Sequence, residues 1–494
     1  MLIAGLLLVA ATAALVMVAI SSIAVNDQIL WGALALTAFC TGLLLLMSAL
    51  GGYGGLGLGT WRIGPWSLAW GALAFGPATI SWLGPQTGPP AEILPGSVVR
   101  ALWLIGVAMA LFTMGYCGGP RRLASSLAKR ATSRLTSRFT DDIRGPAVPW
   151  TLFGVGVAGQ AASALVTGHL GYVGSASAST TATTGYSQFL TLLGECLPLA
   201  VAAAAMRAYR TRHLMARLTL AILFIAAIIA GAVAGGKTSF IVAVLAVIIP
   251  RTTIRGRFPA GLLVAAVACF LLIVIPFNLT YRASARGSVT LTTGQAVAAA
   301  PAIAGQVLAD DFSPSVLGQS ASYLAQRIRT IDSPAIIMQR TPSQIPYINP
   351  GQLAVSPLLD VIPRLLWPGK PILDVGYQMS QEYYEFPPQV YTSSDITPEG
   401  DLYRHGGWFV LAIGMFLIGC GARIVDEVAD LRRSIHGTFL ILLLFPGLVL
   451  AGSDCATLLA GIPQMILLWF AVVTLSFTRR TAKPVGAWPP PPAR

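Results

Sequence analysis

Twelve apolar runs, each bounded by charged or Gly/Pro-rich breaks, divide this 494-residue chain: 2–25, 29–50, 66–84, 98–116, 148–170, 186–206, 218–234, 239–250, 259–277, 407–422, 437–452 and 459–477. A run of about 20 apolar residues crosses hydrocarbon as a helix, and backbone in lipid must satisfy its own hydrogen bonds. The expected fold is therefore an all-α polytopic membrane protein of about twelve transmembrane helices. Segment 239–250 is shorter than the roughly 17 residues a span needs, so it and its predecessor are expected to form a broken or re-entrant pair. With 55% hydrophobic and only 10% charged residues, the chain cannot cover a soluble globule with charge. The first run lacks a basic n-region and reads as a retained helix, not a cleaved signal.

The formal net charge is +13, but the arginines sit in clusters beside apolar runs, which argues against nucleic-acid binding and for orientation in a bilayer. Arg121, Arg122, Lys129, Arg130, Arg134, Arg138 and Arg144 fill one loop. Arg207, Arg210, Arg212 and Arg217 fill a second, Arg251, Arg255 and Arg257 a third, and Arg423, Arg432 and Arg433 a fourth. All four fall on one side of a twelve-helix layout, with Arg100 and Lys237 as exceptions on the other. Both termini are therefore expected in the cytoplasm. The six cysteines lie in or beside apolar runs without metal-ligand spacing, so neither a disulfide framework nor a zinc site is expected.

Polarity concentrates between Phe277 and Trp408, which holds ten of the 19 acidic residues. The resulting division is helices 1–9 at 1–277, a long external loop at 278–406, helices 10–12 at 407–477 and a proline-rich cytoplasmic tail at 478–494. A loop this long is expected to hold short helices. Gln319 to Ile331 reads as amphipathic helix, and Pro342 to Pro363 as extended chain and turns.

Several constellations carry possible chemistry. Gly231 to Thr238, GAVAGGKT, matches the phosphate-loop pattern, but it lies between apolar helices on the external side, which rejects nucleotide binding. Lys237 within it reads either as a ligand for lipid phosphate or as a snorkelling lysine. Arg282 and Arg286 follow the ninth run, where paired guanidiniums suit a diphosphate or anchor the interface. In IPRLLWPGKP, Arg364 and Lys370 bracket Trp367, suited to phosphate and sugar or to interfacial packing. Tyr383 and Tyr384 suit a glycan groove or a small loop core. Asp401, Tyr403, Arg404 and His405 stand at the start of the tenth helix, where a carboxylate or imidazole takes a proton and an arginine steadies a phosphate. Glu195 is an acid at membrane depth, either functional or held by a structural hydrogen bond.

The blocks IPRLLWPGKP (Ile362 to Pro371) and TPEGDLYRHGGW (Thr397 to Trp408) resemble those of the bacterial oligosaccharide repeat-unit polymerases, the Wzy-type O-antigen polymerase family. In that family the long external loop carries an Ile-Pro-Arg-x-x-Trp-Pro-x-Lys-Pro-like block and ends in a Ser-Pro-x-Gly-Glu-x-Tyr-x-Asn-x-Gly-Trp-like one. Asp401 stands here for glutamate. His405 stands where the family has asparagine, so its role is not carried over. The resemblance implies a metal-independent, cofactor-free GT-C-type glycosyltransferase working outside the bacterial plasma membrane on undecaprenyl-diphosphate-linked oligosaccharide. It also implies a flippase and a chain-length regulator as partners. On this reading Arg282, Arg286, Arg364, Lys370 and Lys237 hold diphosphate, Trp367, Tyr383, Tyr384 and Tyr403 meet glycan, and the catalytic candidates are Asp401 or, on its own chemistry, His405 as base, with Arg404 beside them. An O-antigen ligase and a lipid-linked oligosaccharide transporter are the alternatives.

Overall fold

A computed structural model of the chain describes residues 24–51, 58–86, 89–119, 121–170, 173–174, 186–285, 293–309, 314–362, 367, 375–387, 393–449 and 454–480, and the single positions 5, 8, 9 and 12. The architecture is almost wholly helical. In chain order the helices are α1 (Val25–Gly51), α2 (Ile63–Phe75), α3 (Pro95–Gly118), α4 (Arg121–Arg138), α5 (Ala147–Thr167), α6 (Ser187–Gly194), α7 (Cys196–Thr211), α8 (Leu214–Val233), α9 (Lys237–Arg255), α10 (Ala260–Cys269) and α11 (Ile275–Ala285). The polar stretch supplies α12 (Thr293–Ala309), α13 (Pro314–Ile328), α14 (Asp332–Arg340), α15 (Gly351–Val361), α16 (Val375–Glu382) and α17 (Pro398–Arg404). After it come α18 (Gly407–Val428), α19 (Gly437–Val449) and α20 (Cys455–Ser476). Strand β1 (Phe139–Ile143) pairs antiparallel with β4 (Phe477–Arg479), and β2 (His169–Leu170) with β3 (Val173–Gly174).

Among the described residues nine helices are long and apolar enough to cross a membrane. Each coincides with an expected run, and the departures from twelve have physical causes. The run 2–25 lies almost entirely outside the described residues. The run 66–84 breaks at Gly76 and Pro77, because proline lacks an N–H and forces its predecessor out of the helical region. A 13-residue α2 and a 3₁₀ segment, Pro77–Leu83, result. The run 437–452 yields a 13-residue α19 with Pro446 inside it.

The expected short pair at 218–250 instead forms two full helices. The polar residues at each end of 239–250, Lys237 and Thr238 before it and Arg251 to Arg255 after it, are helical too, giving α9 19 residues. Gly235, at φ +66°, makes the turn between α8 and α9. Likewise α10 and α11 join through a π-helical turn, Phe270–Val274, into one span that continues past residue 277. Arg282, expected just beyond a helix, therefore lies within the last turns of α11. In the polar stretch, α13 begins earlier than the expected Gln319, and the apolar GQLAVSPLLDV forms α15 where extended chain was expected.

The closest crossing is between α3 and α18. A Cβ on Gly115 would lie 2.0 Å from the Phe416 carbonyl oxygen, and one on Gly419 would lie 2.1 Å from that of Phe112. Small residues thus let two backbones touch, which is how helices associate where burial from water offers no drive. One core joins α1, α2, α3 and α18 to loop residues Ile331, Ile336, Tyr383 and Leu402. A second gathers α5, α7, α8, α9, α19 and α20.

The basic loops assemble on one face. Arg210 pairs with Asp142 at 3.0 Å, Arg255 lies over the Tyr209 ring, His436 bonds the Thr140 carbonyl, and the Arg480 N–H donates to the Arg138 carbonyl. On this face Arg62, 2% exposed, reaches Asp430 at 2.9 Å and Glu427 at 3.5 Å. Asp426 accepts the N–H groups of Ile63 and Gly64, at 2.6 and 3.0 Å, and the Tyr116 hydroxyl at 2.7 Å. Its charge thereby caps the N-terminus of α2. The opposite end of the bundle is the loop face, where α14 and α17 pack over α3 and α18.

Candidate functional site

The site is built on α17, from the block TPEGDLYRHGGW. Thr397 caps this helix by accepting the Gly400 N–H at 3.2 Å, and Pro398 occupies its first position. Asp401, 1% exposed, is engaged at both oxygens. Its Oδ1 accepts from Arg404 Nε at 2.7 Å, and its Oδ2 accepts the Cys455 backbone N–H at 2.8 Å. His405 Nδ1 lies 2.7 Å from the Asp401 carbonyl oxygen and 3.4 Å from Oδ1. Both neighbours are acceptors, so Nδ1 carries a hydrogen. Burial pushes the Asp401 carboxyl up, but the His405 hydrogen bond, the Arg404 and His405 charges and the Cys455 N–H outweigh it and hold the carboxyl below its ordinary range.

The glycine pair of the block makes the corner into α18. Gly407 has φ +65°, and a Cβ there would sit 2.9 Å from the Tyr347 hydroxyl. The corner stacks edge-on rings: Tyr347 on Tyr403 at 6.1 Å and Tyr403 on Trp408 at 6.0 Å. Tyr347 and Trp408 are exposed and Tyr403 is buried between them.

A cavity of about 830 Å³ opens beneath α17, walled by α2, α3, α18 and α20 and roofed by the start of α15. Its lining is apolar apart from a few groups, among them Thr397, Ser67 and Glu399. Glu399 is 6% exposed, and its Oε2 has no hydrogen-bond partner among the described residues. Burial pushes its carboxyl up, its own backbone N–H and the Thr397 side chain pulling more weakly the other way. Arg404 Nη1 is likewise buried without a partner among the described residues.

Beside α17, Asp395 keeps an open surface but is walled by protein. Lost hydration pushes its carboxyl up to about 6, against the lowering charges of Lys237 and Arg327. Lys237, the first residue of α9, thus stands near the segment leading into α17. The preceding turn is clasped by α11: Asn278 Nδ2 donates to the Gly235 carbonyl and the Tyr281 hydroxyl to the Val233 carbonyl, both at 2.8 Å.

The structure therefore brings Asp401, Arg404 and His405 into one centre, sets Tyr403 of the same helix between Tyr347 and Trp408, and places Lys237 near Asp395. Tyr383 and Tyr384 are placed in the interior of the loop layer; Tyr383 is 0% exposed and bonds the Thr341 hydroxyl at 2.8 Å. Trp367 is exposed. Arg286, Arg364 and Lys370 lie outside the described residues. Glu195 is half-buried at the junction of α6 and α7, apart from the α17 centre, with its N–H donating to the Leu192 carbonyl at 3.2 Å. Among the described residues no three His, Cys, Asp or Glu side chains gather as metal ligands would.

Sequence reasoning missed Glu399, Asp395 and the clasp residues Asn278 and Tyr281. Glu399 had a signal: on a helix, positions two apart point about 200° away from one another, so PEGD places its two acids toward different surroundings. Asp454 caps α20 by accepting the Thr457 N–H at 3.0 Å. It sits next to Cys455, the backbone partner of Asp401.

A family model described as Domain of unknown function (DUF8712) matches residues 160–449. The chain belongs to this family. The DUF8712 match takes in α17, the clasped turn at Lys237 and all of α18 and α19, and leaves Arg62, α3 and α20 outside it. No curated protein and no solved structure matches the chain.

Proposed function

We propose that this membrane protein transfers glycan between polyprenyl-diphosphate-linked substrates, polymerising oligosaccharide repeat units into a surface polysaccharide. In this reading it sits in the bacterial plasma membrane with its loop face outward and both termini in the cytoplasm. The observation that supports it best is the Asp401, Arg404 and His405 centre, held by a block that resembles the repeat-unit polymerases and that lines an apolar cavity with Glu399 and Leu402.

In the proposed step, His405 Nε2 takes the proton from a sugar hydroxyl of the acceptor, with Asp401 fixing the ring's tautomer and stabilising the imidazolium. The hydroxyl oxygen bonds the donor's anomeric carbon as that carbon's bond to the diphosphate breaks. The leaving diphosphate carries the electron pair away. Arg282, Arg286, Arg364, Lys370 and Lys237 neutralise it, Trp367 and the Tyr403 corner are the proposed glycan contacts, and the interior Tyr383 and Tyr384 brace the loop layer behind them.

In a polymer-producing strain, His405→Ala should slow transfer about 10²–10⁴-fold, the usual worth of a general base. Arg282→Ala and Arg364→Ala should abolish polymer and leave single repeats on lipid. Normal polymer lengths in all three variants would overturn the assignment. Accumulation of long lipid-linked chains in a null strain would indicate a ligase instead, and passage of lipid-linked sugar across vesicles without elongation a transporter.

A further inference from the structure

The cavity beneath α17 has a depth, a wall chemistry and a polar end that together describe a ligand. Depth comes from α18, whose Val410 and Val425 both line it; fifteen residues at 1.5 Å each are about 22 Å of helix axis. A phospholipid acyl chain reaches only about half of a roughly 30 Å hydrocarbon core. The wall along this depth is aliphatic and aromatic, with Ile63, Trp70, Leu459 and Ile466 contributing from α2 and α20. At its loop-face end stands one 94%-buried carboxyl group whose second oxygen meets no partner among the described residues.

An unanswered polar atom in such a place costs free energy unless a ligand answers it. We propose that this cavity seats the chain of a polyprenyl-phosphate lipid, a chain longer than one leaflet, and that Glu399 donates a hydrogen bond to the oxygen of its head. The identity of the lipid rests on the transfer reading above; the existence of a long-chain lipid site does not. A carboxyl that is neutral when buried is a donor and repels no phosphate, whereas an ionised one would do both harms at once. The charged and titratable groups around Glu399 are Asp401, Arg404 and His405 from its own segment, and Asp454 and Cys455 at the head of α20; α14 meets the same helix start through Ser333, which accepts the Thr397 N–H.

The test uses the full chain in nanodiscs with radiolabelled undecaprenyl phosphate as probe, and farnesyl phosphate and phosphatidylglycerol as competitors. A Cβ on Gly421 would meet nothing within 4 Å, so Gly421→Trp fills the cavity without a backbone clash, and Gly421→Leu serves if the larger ring prevents folding. Either should weaken binding about tenfold or more, since each lost methylene contact is worth roughly 0.8 kcal/mol. Glu399→Leu should weaken it to a similar degree, while Glu399→Gln, still a neutral donor, should keep it. Binding by the native chain should fade as pH rises and the carboxyl ionises, and binding by Glu399→Gln should not. Unchanged binding in the Gly421 variants, or phosphatidylglycerol competing as well as undecaprenyl phosphate, overturns the proposal. Polymerisation at normal KM in a folded Gly421→Trp chain overturns it too, leaving the transfer reading intact; retained lipid binding without any glycan transfer does the reverse.

Discussion

Asp401 shows how a charge survives burial: both oxygens are answered, one by a guanidinium and one by a backbone N–H. Replacing it with asparagine leaves Arg404 buried without its counter-charge, and breaking such a pair should destabilise the folded chain by about 3–5 kcal/mol, read as a lowered midpoint in thermal or denaturant unfolding in detergent. The pH dependence has a definite sign. Because the folded carboxyl titrates below its ordinary 3.8, its stabilising contribution is complete above that pH and is lost as acid carries the pH down through the folded value. The Asp401→Asn chain should lack this acid-sensitive component. Gly407→Ala forces a side chain into the left-handed region and against Tyr347, which should cost about 1–3 kcal/mol by the same measurement. At this scale the sequence was readable where residue types stand close together. Asp401, Arg404 and His405 lie within five positions, and helical periodicity brings them to one side. Asp395 carried no comparable mark, because its neighbours Lys237 and Arg327 come from other helices.

Elements were legible in kind and less so in extent. Hydropathy sees the apolar middle of a helix but not its polar ends, which is why α9 outgrew 239–250 and α11 carried on through Arg282. It also cannot see a proline break inside an apolar run, as at Gly76 and Pro77. Long-range polar contacts were wholly hidden. Arg62 and Glu427 are 365 positions apart, and nothing local to either announces the other. Arg62→Ala should therefore cost as much as the loss of any buried ion-pair partner, about 3–5 kcal/mol. It should do so without altering lipid-phosphate binding at the loop face, a separation that equilibrium unfolding and probe binding on the same sample would reveal. The layer over the loop face has its own tie: Arg329 holds Asp332 at 2.8 Å and Ser81 at 3.3 Å, while Trp82 donates to Asp332 at 2.8 Å. These bonds fix α14, and α14 in turn supports α17.

On the scale of the whole molecule, the two ends of the bundle differ in charge and in content. One gathers the arginine clusters and the Arg62 network; the other gathers the loop helices, Lys237 and the α17 centre. That partition was legible in the arginine distribution, since basic residues bias the side on which a loop stays. A direct check uses a membrane-impermeant maleimide on intact cells carrying Ser393→Cys or Ser133→Cys, both exposed positions. Labelling at 393 and none at 133 until the cells are opened is the expected outcome; the reverse pattern would turn the proposed orientation over.

The pairing of β1 with β4 fastens the end of α20 to the segment after α4, and Phe477 plugs the seam, 0% exposed, with its ring 4.4 Å from that of His436. Shortening the polypeptide by a few residues at this seam would therefore unseat groups contributed by three separate stretches of chain. A reporter fused beyond Arg480 leaves the plug in place, whereas a stop codon ahead of Phe477 pulls it out, and the difference in folded yield measures how far the closing strand holds that end of the bundle shut.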